Sequence, residues 1–144
     1  MKAMLGVWTV VGALVTSSVA ATAEGHTITV RVATFRAVKG ALRCRLYSRG
    51  DGFPGKPPFD AQQSVAVSAK TATCTFPSVA DGTYAVALFH DENGDGKLDT
   101  NVLGIPREGV GVSNNKLRSF GPPKWDDAKF ELKGDLVLDV TLHY

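Results

Sequence analysis

The sequence predicts an all-β fold, an antiparallel β-sandwich of about seven strands, and three observations carry that prediction. Apolar residues recur with period two in segment after segment. No segment makes an amphipathic helix. Gly, Pro, Asn and Asp clusters separate the alternating runs at short intervals, as turns between antiparallel strands require.

The elements follow in order. In HTITVRVATF (26–35), Ile28, Val30 and Val32 fall on one face and Thr27, Thr29 and Arg31 on the other. ALRCRLYS (41–48) points Leu42, Cys44 and Leu46 inward and Arg43 and Arg45 outward. SVAVSA (64–69) and ATCTFP (72–77) come next, the second placing Cys74 and Phe76 on one face. GTYAVALFH (82–90) is apolar on both faces, as a central strand is. AKFELKG (128–134) turns at Gly134-Asp135 into LVLDVTLHY (136–144), where Leu136, Leu138, Val140 and Leu142 share a face. Two long loops interrupt the pattern: 49–63, rich in Gly and Pro, and a second from His90 to about Asp127. Loops of that length in a compact domain carry function or move, and the expectation is that they gather at one end as a binding surface.

The first 23 residues read as a secretory signal peptide. Lys2 precedes an apolar run, AMLGVWTVVGALV, and Ala21-Thr22-Ala23 is a small-residue cleavage site, with Ser18-Val19-Ala20 as the alternative. The run is shorter than the roughly 20 residues a spanning helix needs. The expected organisation is therefore a signal peptide at 1–23 and one β-sandwich domain at 24–144, exported to the periplasm or beyond, with no transmembrane segment in the mature chain. Export exposes Cys44 and Cys74 to an oxidising compartment, where an even count favours a disulfide between them; a bridge within a sheet and one between sheets both fit their inward positions. The whole chain carries 16 Lys and Arg against 14 Asp and Glu. No basic run is present, so nucleic acid is not an expected partner.

One loop has metal-ligand spacing. In DENGDGKLD (91–99), Asp91, Asn93, Asp95, Lys97 and Asp99 fall at alternate positions with Gly96 at the sharp turn, matching the first nine positions of a calcium loop. Calcium takes six to eight hard oxygen ligands, and alternate residues of a curling loop converge on one point; Lys97 would offer only its carbonyl. Two features depart from an EF-hand: Val102 stands where the bidentate Glu belongs, and the loop leaves a strand and runs to Gly104 and Pro106 rather than into a helix. Glu108 is the nearest later carboxylate that can replace the missing one. The reading without metal is also open, since Asn93-Gly94 and Asp95-Gly96 are strong turn dipeptides.

HDENGDGKLDTNVLGIPREGVGVSNN (90–115), followed by FGPPKWDDAKFEL (120–132), resembles the DUF2141 family of exported bacterial proteins of unknown function; LYSRGDGFP and VADGTYAVALFHDEN upstream fit the same pattern. The resemblance covers nearly the whole mature chain. It implies an extracytoplasmic Ig-like or transthyretin-like β-sandwich and implies no reaction. Members similar to this chain often carry Asn at the position of Asp95, which lowers the charge of the loop.

Other chemistry is sparser. His90 beside Asp91 offers an acid–base pair for a hydrolase-like enzyme at a loop end, against a structural His at a strand end. No G-x-S-x-G elbow and no H-E-x-x-H is present. The chain ends TLHY rather than in the Tyr-Arg-Gly-Ser of transthyretin-like hydrolases. Arg107, Glu108, Asn114 and Trp125 complete the candidate ligand surface with His90; Asn114 and Asn115 can instead satisfy loop carbonyls, and Trp125 can cap the sandwich edge. The favoured reading is a non-catalytic exported binding or accessory module for a protein, peptide or glycan, with calcium as the one cofactor the spacing admits. A structural subunit of an envelope complex is the third reading.

Overall fold

The computed structural model describes residues 24–144; the expected signal peptide lies outside the described residues. Eight strands form two sheets: β1 (His26–Val32), β2 (Ala41–Tyr47), β3 (Ala61–Ala66), β4 (Ala72–Val79), β5 (Gly82–Asp91), β6 (Val110–Val112), β7 (Phe130–Leu132) and β8 (Leu136–Asp139). One sheet has the order β4–β1–β8 and the other β3–β2–β5–β6, with β7 paired to the start of β5. A single helical turn, α1 (Trp125–Ala128), precedes β7.

Period-two alternation becomes burial with little loss. Ile28, Val30 and Val32 of β1, Leu42, Cys44 and Leu46 of β2, and Cys74 and Phe76 of β4 are all buried in one cluster that fills the space between the sheets. The disulfide joins Cys44 of β2 to Cys74 of β4, so it ties one sheet to the other across this core. β5 is buried on both faces because the outer face of its sheet is covered as well. There Tyr47, Ala85, Ala87, Val112 and Ala128 pack beneath Phe53, Phe59 and Trp125.

The structure departs from the sequence reading in several places. β1 and β8 pair in parallel, whereas all other pairings are antiparallel. The first and last strands have the whole chain as their connection, so no local turn dictates their direction. The terminal run 136–144 does not stay in one sheet: beyond Asp139 it crosses over, and His143 bridges Val110 of the other sheet. Finally, β6 lies inside the second long loop and divides it. Because β2 runs from Ala41, opposite Asp91, to Tyr47, opposite Ala85, loop 33–40 and loop 92–109 lie at one end of the sheet. The Gly/Pro-rich loop and residues 113–128 lie at the other, where Trp125 packs on Gly50. The long loops therefore do not gather at a single end.

Candidate functional site

The Asp91 end is where buried charge concentrates. His90, Asp91 and Glu108 are all buried there. Successive strand residues point to opposite faces, and this separates the two side chains of the expected acid–base pair. His90 pairs with Leu42 and faces the core, with the Phe35 ring edge-on at 4.9 Å. Asp91 faces the outer side of the sheet. His90 is fully engaged: Nε2 donates to the Lys39 carbonyl at 2.7 Å. Because a carbonyl only accepts, Nε2 carries the proton. Nδ1 then accepts from the Tyr144 hydroxyl at 2.8 Å, and that hydroxyl accepts the Arg36 backbone N–H at 3.2 Å.

Asp91 sits inside the curl of the 91–99 loop. Its Oδ2 accepts the Gly96 N–H at 2.9 Å and Arg43 Nε at 2.6 Å. Arg43 reaches it because Arg43 pairs with Phe89, which makes Asp91 its diagonal neighbour on the same face. Burial pushes the carboxyl pKa up, but the Arg43 hydrogen bond, the Gly96 N–H and the Arg43 charge together outweigh it and leave the pKa below the usual value. Oδ1 of the same carboxylate is buried and has no hydrogen-bond partner.

The other loop residues hold one another. Asn93 Nδ2 donates to Asp99 at 2.7 Å, Asn93 Oδ1 accepts the Asp95 N–H at 3.2 Å, and Asp95 Oδ1 accepts the Lys97 N–H at 2.9 Å. Gly94 and Gly96 take positive φ, 72° and 82°, which is why the two Asx-Gly pairs are there. Glu108 does reach the loop. It acts as a clamp across its two ends, Oε1 accepting the Glu92 N–H at 2.8 Å and Oε2 the Asp99 N–H at 3.1 Å. Among the described residues, no group of three or more His, Cys, Asp or Glu side chains is gathered as a metal cage.

Beside the loop lies an open cleft of about 420 Å³, lined among others by Arg36, Lys39, Arg107, Glu92, Asp99 and Glu108. Arg36 spans it, donating from Nε to Glu92 at 2.6 Å and from its terminal nitrogen to the Arg107 carbonyl at 3.0 Å. Its guanidinium lies 4.5 Å from the centre of the Tyr144 ring. Burial raises the Glu92 pKa, but the Arg36 hydrogen bond and the charges of Arg36 and Lys39 outweigh it, so its net shift is downward. The cleft is polar, with both signs of charge on its walls.

The remaining sequence candidates sit elsewhere. Asn114 and Trp125 lie at the far end of the sheet from His90, Arg107 and Glu108. Asn114, in a left-handed conformation, donates to the carbonyls of Asp127 and Lys129 at 3.1 and 3.0 Å. Asn115 donates to the Asp139 carbonyl at 3.0 Å and accepts the Thr141 N–H at 2.9 Å. Trp125 is half-buried against Gly50 and Phe53. All three fasten loops to the sandwich. The sequence reading missed Arg36, Lys39, Arg43 and Tyr144. Arg43 alone had a local signal, an outward-facing cation on a central strand; the other three arrive through tertiary contacts.

A family model described as an uncharacterized protein conserved in bacteria (DUF2141) matches residues 30–138. No curated protein and no solved structure matches.

Proposed function

The chain belongs to the DUF2141 family of uncharacterized proteins conserved in bacteria, and from that premise we propose that it works outside the cytoplasm as a non-catalytic β-sandwich binding module. Its ligand-facing end is the one built around Asp91, and a calcium ion is held in the 91–99 loop. The observation that carries this reading is the Asp91 carboxylate. It is fully buried, one oxygen is held by Gly96 and Arg43, and the other has no close hydrogen-bond partner, the Gly94 N–H acting on the carboxyl least of its neighbours. A buried carboxylate oxygen without a partner is costly, and calcium is a hard cation suited to that oxygen. Calcium also takes amide and backbone carbonyl oxygens, which Asn93 and Lys97 supply at the spacing of the loop. Arg43 competes for the same carboxylate, so the expected affinity is modest, on the order of the 10⁻⁴–10⁻³ M of extracellular modules.

Export is supported by the signal-like first 23 residues and by the Cys44–Cys74 disulfide. Binding rather than catalysis is supported by His90, whose ring is buried with both nitrogens engaged and faces away from Asp91. The mixed-charge cleft beside the loop suits a polar ligand such as a peptide or glycan. Calorimetric titration of the oxidised, chelator-stripped protein with calcium tests the metal. Saturable heat that Asp95→Ala and Asp99→Asn each weaken is the expected result. Heat indistinguishable from dilution at millimolar calcium would reduce the loop to a turn.

A further inference from the structure

Between the calcium-loop positions and Glu108 the chain throws out a finger, residues 100–106. Three aliphatic side chains stand on its tip: Val102 is 100% exposed, Leu103 80% and Ile105 55%. Isolated exposed aliphatic residues are normal on any surface, but three within four residues are not isolated. The finger is also built to hold its shape. Asn101 Oδ1 accepts the N–H groups of Leu103 and Ile105 at 2.8 and 3.0 Å, its backbone N–H donates to the Ile105 carbonyl at 2.9 Å, and its carbonyl accepts the Gly104 N–H at 3.0 Å. Gly104 takes a φ of 78° to close the turn, and Thr100 bridges Pro106 at the base. Below that, Arg107 N–H bonds the Asp99 carbonyl at 2.8 Å, and buried Glu108 clamps the root.

We propose that this finger is a membrane-docking device that inserts Val102, Leu103 and Ile105 into the surface of a lipid bilayer. Size decides between a bilayer and a protein partner. Three aliphatic side chains bury roughly 300 Å² or less, whereas a stable protein interface takes about 800 Å² from each partner. The tip is a convex projection, so a protein would need a matching pocket, while a bilayer accepts a projecting apolar tip with no pre-formed shape. Because the finger is already ordered by its own hydrogen bonds, insertion immobilises little of it. Charge does not drive the docking: along 95–107, Lys97 and Arg107 balance Asp95 and Asp99. Binding is therefore indifferent to anionic lipid and to salt. It is also independent of calcium, since the bonds that shape the finger are made by Asn101, by backbone groups and by Glu108, and none by a side chain of Asp91, Asn93, Asp95 or Asp99.

Vesicle co-sedimentation of the oxidised protein tests this, using phosphatidylcholine alone and phosphatidylcholine mixed with phosphatidylglycerol in equal parts, with calcium and with chelator. The comparison protein is the double variant Val102→Asp/Leu103→Asp, whose fold is checked by an unchanged melting temperature because both side chains are in solvent. The expected result is pelleting with both lipid mixtures, with or without calcium, reduced at least about a hundred-fold, to background, in the variant. No pelleting of the wild type, or equal pelleting of variant and wild type, overturns the proposal; the first outcome points instead to a pocket on a protein. Pelleting only with the anionic mixture overturns it too, since charge would then be the driving force. Failure of calcium to bind leaves the expected pelleting unchanged, so the two proposals fail separately.

Discussion

Replacing Arg43 by Leu isolates the electrostatics of the loop end. Asp91 is wholly buried, and the Arg43 side chain keeps 21% of its exposure. Removing one partner of a buried pair costs about 3–5 kcal/mol, because a charge is left uncompensated. Gly96 still donates to Asp91, and Arg43 lies partly in solvent, so the lower end applies, about 3 kcal/mol. For a chain of this size that corresponds to a fall in melting temperature of roughly 10 °C. The loss must depend on pH. In the native protein the Asp91 pKa lies below the usual carboxylate value. The stabilisation it brings is therefore present above that value and fades as pH falls through the folded pKa. Without Arg43 the carboxyl keeps its burial and loses its main counter-charge, so its pKa moves upward. The deficit of the variant is then largest near neutrality and shrinks as the pH falls toward 4 and Asp91 takes up a proton. Urea unfolding of both proteins at neutral pH and at about pH 4.5 measures this. If calcium binds Asp91, millimolar calcium stabilises the variant more than the wild type, because the competing guanidinium is gone. A deficit under about 1 kcal/mol, or one of the same size at both pH values, would refute the account of Asp91 as a buried, arginine-held carboxylate.

Two further variants probe the frame that holds this site. Cys44→Ser/Cys74→Ser opens a bridge between residues 30 apart; the chain-entropy relation puts the loss at about 3.6 kcal/mol, read as a lower urea midpoint with native-like circular dichroism retained below the transition. Gly40 has a φ of 68°, and a Cβ there would collide with the backbone carbonyl of Asp91. Gly40→Ala should therefore destabilise by more than the roughly 1–2 kcal/mol of left-handed strain alone, whereas Gly94→Ala, with a φ of 72° but open space around it, should lose only that strain. Equal losses for the two would mean that the close approach of Gly40 to β5 is not tight.

The core was legible because strand burial is a local code. Ile28, Val30, Val32, Leu42, Cys44, Leu46 and Phe76 announce their faces by alternation, and each is buried where the alternation placed it. The same rule sends His90 and Asp91, which the sequence reading offers as a pair, to opposite faces of β5. The Asn and Gly positions of the 91–99 turn were legible for a similar reason: their conformations are set within a few residues. Partnership across the chain was not. That Cys44 and Cys74 bridge the two sheets, that β8 runs parallel to β1, and that β6 splits the second long loop all depend on which strands neighbour which, and a three-residue strand carries too short a pattern to stand out. Arg43 reaching Asp91, Tyr144 bonding His90 and Glu108 clamping the loop each join residues brought together by sheet register rather than by spacing. The sequence by itself determined the alternating strands, their buried faces and the turns. Only the tertiary structure decided which charges meet at the end of β5, because charge pairing over long sequence separations follows from register and packing, which no single segment encodes.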